Sequence, residues 1–322
     1  MKIGFIGVGK MGREHARAAA YLGHEVWAGT ASSCYSQSWG VFKESYPNAK
    51  FLSVFEMLAD PNVEQIVISL PPKELEKFRL DIMFSDKPIL VEKPFGISNY
   101  NTLIRDKSAT VTENISIAMN RRFYEPVIRM KCGLVLNKPK SVEINISESV
   151  TEKMKRLKGS IKVRDLPLYS YIHVLDLAMF ILDSKFTTTH IVGYMQNSGF
   201  RSITAMCACN LGTVPVVINI NEDDPINTGI IVRTENGMRY SLSPLEKLTI
   251  YNGLTVSEDT SGNRIYTPTV QAVIEASKEF KPGILEQMRM FTEDRISPYL
   301  GNIEQENFIR NFIHELNDES IP

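Results

Sequence analysis

"KIGFIGVGKMG", residues 2–12, decides the fold. It opens as a short apolar run of strand character and ends in glycines, where the chain must turn. Gly7, Gly9 and Gly12 form G-x-G-x-x-G, and the following "MGREHARAAAYLG" (11–23) has helical spacing and stops at a glycine. In a strand–turn–helix unit the first glycine permits the tight turn. The second lets the backbone approach a pyrophosphate, and the third lets the helix pack close to the strand. The helix N-terminus adds N–H donors and the positive end of its dipole. This stretch predicts a dinucleotide site over Gly7, Gly9, Lys10, Met11 and Gly12.

Working outward, "HEVWAGT" (24–30), "AKFLS" (49–53), "VEQIVISLPP" (63–72), "KPILVEKP" (87–94) and "ISIAMNRRF" (115–123) read as further strands. Helical stretches lie between them at "SCYSQSWGVFKESY" (33–46), "KELEKFRLDIMFSD" (73–86) and "NYNTLIRDKSA" (99–109). Short buried strands alternating with helices predict parallel βαβ units in a doubly wound Rossmann sheet over residues 1–120. Ligands of such sheets sit at the carboxyl ends of the strands. Leu70 and Pro71 end the fourth strand there, and Glu92, Lys93 and Pro94 end the fifth.

The end of the second strand bears on which dinucleotide is held. A carboxylate there usually accepts from the ribose 2′-hydroxyl of NAD. Here the strand ends in Gly29, Thr30, Ala31, Ser32 and Ser33, whose small hydroxyls suit a 2′-phosphate. NADP is favoured, with NAD the alternative.

From about residue 137 the alternation stops. "KSVEINISESV" (140–150) sets Val142, Ile144 and Ile146 against Glu143, Asn145 and Ser147, a half-buried strand. A helix is predicted over "YSYIHVLDLAMFIL" (169–182). Strand-like runs follow at 190–196, 202–210, 214–220, 229–235, 238–243 and 247–253. Helices are then expected at "TVQAVIEASKEF" (269–280), 284–294 and 303–316. Residues 121–322 are therefore expected to form a mixed α/β domain with a large, mostly antiparallel open sheet.

The chain has 322 residues, long enough for two cores, and a formal charge of −1. Nothing in that balance marks a nucleic-acid or anionic-membrane partner, and no apolar run approaches the ~18 residues that cross a bilayer. The four cysteines are too few and scattered for a disulfide framework, which fits a reducing cytoplasm. Cys207 and Cys209 fall on one face of a strand and read as packing thiols, with no metal site expected.

Together, "GVGKMG", "VEKPFG" (91–96), "NRRFYEPVIRMK" (120–131) and the His-x-x-Asp helix "HVLD" (173–176) resemble the Gfo/Idh/MocA family. The resemblance covers essentially the whole chain. It implies NAD(P)-linked oxidation or reduction of a small molecule, mostly sugars, polyols and sugar nucleotides, and dimers through the open sheet. Lys93 matches the family's catalytic lysine, beside the nicotinamide and the reacting carbon, and the pattern implies a cis Lys93–Pro94 bond. His173 matches the family's histidine. Arg122, Tyr124 and Asp176 are expected near the substrate.

Three departures bear on the substrate. Tyr169 stands where sugar dehydrogenases of the family have aspartate, Tyr171 where glycine is usual, and Leu75 where histidine is usual. Without a carboxylate at 169 to stabilise imidazolium, His173 is expected to be largely neutral at pH 7. Lys93 then carries the proton, with Tyr169 as a hydroxyl relay. The leading expectation is an oxidoreductase acting on a carbonyl or imine carbon of a sugar-like or sugar-nucleotide molecule. The alternative is a non-catalytic dinucleotide-binding regulator or scaffold of the same descent.

Overall fold

The computed structural model describes residues 1–95, 113–157, 166–195, 201–209, 214–294 and 297–318. The helix expected over 99–109 lies outside them. The chain divides into two compact units, one of residues 1–123 and 278–308, the other of residues 124–277 and 309–322. The chain first crosses between the units at 123/124. The second crossing, at 277/278, returns the chain to the first unit through a segment that sequence reading assigns to the second domain.

In the first unit, β1 (Lys2–Ile6), α1 (Lys10–Tyr21), β2 (Glu25–Thr30), α2 (Gln37–Ser45), β3 (Lys50–Phe51) and α3 (Val54–Ala59) lead to β4 (Gln65–Ile68). Then come α4 (Pro72–Met83), β5 (Ile89–Glu92) and β6 (Ile115–Ala118). The sheet runs β3-β2-β1-β4-β5-β6, and every pairing is parallel. Strand order reverses direction between β1 and β4, the switch point where such sheets open a crevice. β4 is buried at all four positions, the near-continuous apolar run of a strand covered on both faces. Ser53 and Glu56 form a reciprocal capping box that starts α3, a helix too short to show a period in the sequence.

The second unit opens with α5 (Glu125–Leu136), whose Pro126 sits in the first turn where its missing N–H costs nothing. β7 (Pro139–Glu148), α6 (Val150–Leu157), α7 (Leu166–Ser170) and α8 (Ile172–Leu182) follow. The strands β8 (Phe186–Met195), β9 (Arg201–Cys209), β10 (Pro215–Glu222), β11 (Gly229–Thr234), β12 (Met238–Leu242), β13 (Lys247–Glu258) and β14 (Arg264–Glu275) come next. They form an eight-stranded sheet, β14-β13-β12-β11-β7-β10-β9-β8, antiparallel except where β7 meets β10. Val142, Ile144 and Ile146 of β7 and Val216, Ile218 and Ile220 of β10 are buried, so the alternation read from sequence marks the covered face.

One element is corrected. The helix expected over 269–280 is strand β14, paired antiparallel with β13. Val270 and Val273, three residues apart, mimic helical spacing. The strand is open on both faces over most of its length, so burial imposes no alternation. As the outer strand it also tolerates Pro268, which a central strand would not.

The chain ends with α9 (Ile284–Glu293) and α10 (Ile303–Asp318). Ile284, Met288 and Phe291 of α9 join Ile3, Phe5, Ala16 and Ala19 in one buried cluster of the first unit. Gly301 bridges Ile117, so the returning segment also seals the β6 edge. No helix among the described residues is long and apolar enough to cross a membrane.

Candidate functional site

In the first unit the chemistry gathers at the carboxyl ends of β1, β4 and β5, which are neighbours in the sheet. Gly7 has φ +88°, and a Cβ there would stand 2.7 Å from the Ser69 carbonyl oxygen. A Cβ at Gly12 would stand 2.0 Å from the Gly7 carbonyl oxygen, so only glycine lets α1 lie against the turn. Nothing lies within 4 Å of a Cβ built on Gly9, the N-cap of α1. No side chain caps that terminus, and its first turn carries no acid. Ser69 Oγ is buried without a partner beside the same turn. A dinucleotide pyrophosphate fits this cradle in shape, donors and sign.

Thr30 is buried, and its Oγ1 accepts from Gly7 N at 2.9 Å. The hydroxyl thus braces the glycine turn, a role that sequence reading did not give it. Ser32 and Ser33 are exposed. Lys43, the nearest cation along the chain, donates instead to Ala49 O at 2.7 Å. Leu70 is half-buried, and Pro71 is exposed as the N-cap of α4. Leu75, on that helix, is a core residue.

At the β5 exit, Glu92 and Lys93 are half-buried, Pro94 is buried, and the Lys93–Pro94 bond is cis. Glu92 Oε1 lies 3.0 Å from Nε2 of His15, a fully buried residue of α1. The next turn is tied down by Phe95 N, which donates to Glu306 Oε1 at 2.9 Å. Lys281, from the returning segment, sits 2.7 Å from Met11 Sδ. Burial lowers its pKa, and the negative charges of Glu92 and Glu14 oppose that shift. Arg122 is buried and donates to Gln305 Oε1 at 3.1 Å, so its described bonds anchor the returning segment.

Tyr124, Tyr169, His173 and Asp176 belong to the second unit. Tyr124 is buried as the N-cap of α5. The expected single helix over 169–182 is two, α7 and α8, meeting at Tyr171, whose φ −74° and ψ −28° stay helical. Tyr169 and His173 are half-buried, and Asp176 is buried. The Tyr171 ring fills the core, and its hydroxyl donates to Glu222 Oε1 at 2.6 Å. A large side chain at this place is therefore satisfied both in packing and in polarity.

Glu222 pairs in register with Glu148 at the ends of parallel β10 and β7. Lys153 Nζ reaches Glu148 Oε2 at 2.7 Å and Ser170 Oγ at 2.5 Å. Glu148, Ser149, Glu152, Lys153 and Lys155 line a cavity of ≈ 630 Å³. Sequence reading missed this group because the strand ends and α6 carry no motif. It equally missed His15, Ser69 and Lys281, which only tertiary structure brings to the first unit's site. Cys207 and Cys209 are buried, and burial pushes the Cys207 thiol up to about 11. Among the described residues no His, Cys, Asp and Glu group has metal-site geometry.

Residues 1–112 match a family model described as GFO_IDH_MocA, oxidoreductase family, NAD-binding Rossmann fold. Over that segment the chain is similar to the NAD-binding domain of the Gfo/Idh/MocA oxidoreductases. Inositol 2-dehydrogenase of Rhodococcus jostii (strain RHA1) is 20% identical over 205 residues. That match takes in 62% of this chain and 54% of the relative, so the chain spans about half the relative's length. The structure of myo-inositol dehydrogenase from Lactobacillus casei, in complex with NAD(H) and myo-inositol, aligns with TM-score 0.70. It is 19% identical and covers 99% of this chain and 94% of its own. The super-repressor mutant of Gal80p from Saccharomyces cerevisiae aligns with TM-score 0.74 at 13% identity, over 100% of this chain and 96% of its own. At these identities the likeness to both structures is one of fold.

Proposed function

We propose that the chain is an NAD(P)-dependent oxidoreductase that transfers hydride to or from a carbonyl or imine carbon of a sugar-like or sugar-nucleotide molecule. One observation carries the reading. The glycine cradle, Ser69 and the Glu92–Lys93 turn lie at neighbouring strand ends of a single parallel sheet. A bound nicotinamide supplies hydride to the carbon or takes it away. In reduction Lys93 donates one proton to the oxygen or nitrogen as its negative charge develops, so that hydride and proton together complete the new bonds. In oxidation Lys93 accepts that proton. His173 assists as a neutral hydrogen-bonding group, Tyr169 relays through its hydroxyl, and Arg122, Tyr124 and Asp176 contact substrate.

Tyr169, in place of the aspartate that the resemblance to sugar dehydrogenases of the family implies there, argues against simple polyols. The test is a screen of NADPH and NADH oxidation at 340 nm with keto-sugars, sugar nucleotides and cyclic imines, with myo-inositol in the reverse direction as a control. Consumption with a carbonyl or imine compound is expected. Dinucleotide binding without consumption across the panel would favour a dinucleotide-binding regulator, the reading to which the Gal80p-like fold and Tyr169 lend support.

No carboxylate follows Thr30 to accept from a 2′-hydroxyl or to repel a 2′-phosphate. NADPH is therefore expected to bind more tightly than NADH in a fluorescence titration of the purified protein. A clear preference for NADH would mean that another group reads the ribose.

The open sheet supports a homo-oligomer. Leu254, Val256, Ile265, Tyr266, Val270 and Val273 are exposed on β13 and β14, and β14 is the sheet's outer strand. Light scattering is expected to give the mass of at least two chains, reduced to one by Val256→Glu with Tyr266→Glu. A one-chain mass for the unaltered protein at micromolar concentration would contradict this.

A further inference from the structure

We propose that His15 is a positioning residue for the lysine turn: from α1 it holds the Glu92 carboxylate and so fixes the direction of Lys93, the next residue in the chain. The kinetic arm of this proposal rests on the oxidoreductase reading; the geometry does not.

His15 is fully buried, and its Nε2 lies 3.0 Å from Glu92 Oε1. A carboxylate only accepts, so Nε2 carries the hydrogen. Nδ1 is buried with no partner and contributes no bond to the fold. Burying an imidazole with one nitrogen unpaired costs free energy that a leucine of similar size would avoid. The polar contact that offsets this cost is the one to Glu92. Pro94 fixes the backbone immediately beyond Lys93, so reorientation of Glu92 has little slack in which to dissipate. His15 shares α1 with the glycine cradle, and one imidazole thereby links the dinucleotide-binding helix to the lysine turn.

Cations compete for Glu92. The Lys281 ammonium, seated against Met11 Sδ, feels the Glu92 charge, and Lys93 is its covalent neighbour. Without His15 the carboxylate is free to swing toward a cation. An ammonium paired in this way is a poorer nucleophile and a misdirected proton donor.

The test compares His15→Leu and His15→Gln with the parent. Glutamine keeps an N–H at about the reach of Nε2. In protein free of dinucleotide, acylation of Lys93 by acetic anhydride is followed by peptide mass spectrometry. His15→Leu is expected to slow it about tenfold, the effect of a pKa raised by about one unit, and His15→Gln to restore it. In a Glu92→Gln background His15→Leu is expected to change nothing further. If His15→Leu does not fold, His15→Asn, whose amide is too short to reach Glu92, takes its place with the same expectation. With a substrate in hand, kcat is expected to fall about 10²-fold, the effect of a misplaced group, with dinucleotide affinity unchanged within a few-fold.

An acylation rate that does not move in the loss variant, or that moves equally in the Glu92→Gln background, overturns the positioning role. A parent that turns over no carbonyl or imine compound would instead count against the oxidoreductase reading, and the acylation rates would still decide for or against His15.

Discussion

Lys93→Met is expected to lower kcat by ~10²–10⁴ while leaving dinucleotide affinity within a few-fold, the range for losing an acid/base or charge-stabilising group. Affinity should survive because the pyrophosphate cradle is built from Gly7, Gly9, Gly12 and the N-terminus of α1, which the substitution leaves in place. Turnover should not, because methionine keeps a similar stem and removes the ammonium. His173→Asn is expected to be the milder change. Tyr169 offers a hydroxyl and no charge, so position 169 supplies none of the stabilisation of imidazolium that a carboxylate there would give. Steady-state kinetics on the two variants, with fluorescence titration for affinity, give the comparison. Unchanged turnover in Lys93→Met would remove Lys93 from the mechanism, and a larger loss in His173→Asn would transfer the main proton role to the histidine.

Gly12→Ala is expected to damage both fold and binding. Its Cβ would stand 2.0 Å from the Gly7 carbonyl oxygen, a backbone atom with no rotamer to yield. α1 must then withdraw from the turn, at a cost of about 1–3 kcal/mol or more for overpacking of this kind. The withdrawn N-terminus also loses donors to the pyrophosphate. Two such bonds at about 1.5–3 kcal/mol each lower affinity by ~10² or more. Gly9→Ala provides the contrast. Its Cβ meets nothing within 4 Å, so the fold should be unaffected while the methyl obstructs the approaching pyrophosphate. Thermal unfolding with and without NADPH separates the two. Equal ligand stabilisation of Gly12→Ala and the parent would mean that the dinucleotide lies elsewhere.

The glycine turn and the Lys93 exit were legible because their chemistry is local. Three glycines at fixed spacing after a strand, and a charged pair ending another, need no knowledge of distant residues. β7 was legible for a related reason, since burial of one face forces Val142, Ile144 and Ile146 to alternate with polar neighbours. β14 was not, because neither face is buried over most of its length and its valines fall at a helical interval. The return of residues 278–308 to the first unit was hidden for want of any local signal. α9 is amphipathic, and either core could have received its apolar side. His15 sits among alanines and reads as packing until the 77-residue gap to Glu92 closes in space.

The most direct test of catalysis at Lys93 is the 340 nm absorbance of NADPH, followed in parallel for the parent and Lys93→Met against carbonyl and imine compounds. The expected result is consumption by the parent with at least one compound, reduced ~10²–10⁴-fold in the variant although both bind NADPH. A compound consumed equally fast by both proteins would contradict it.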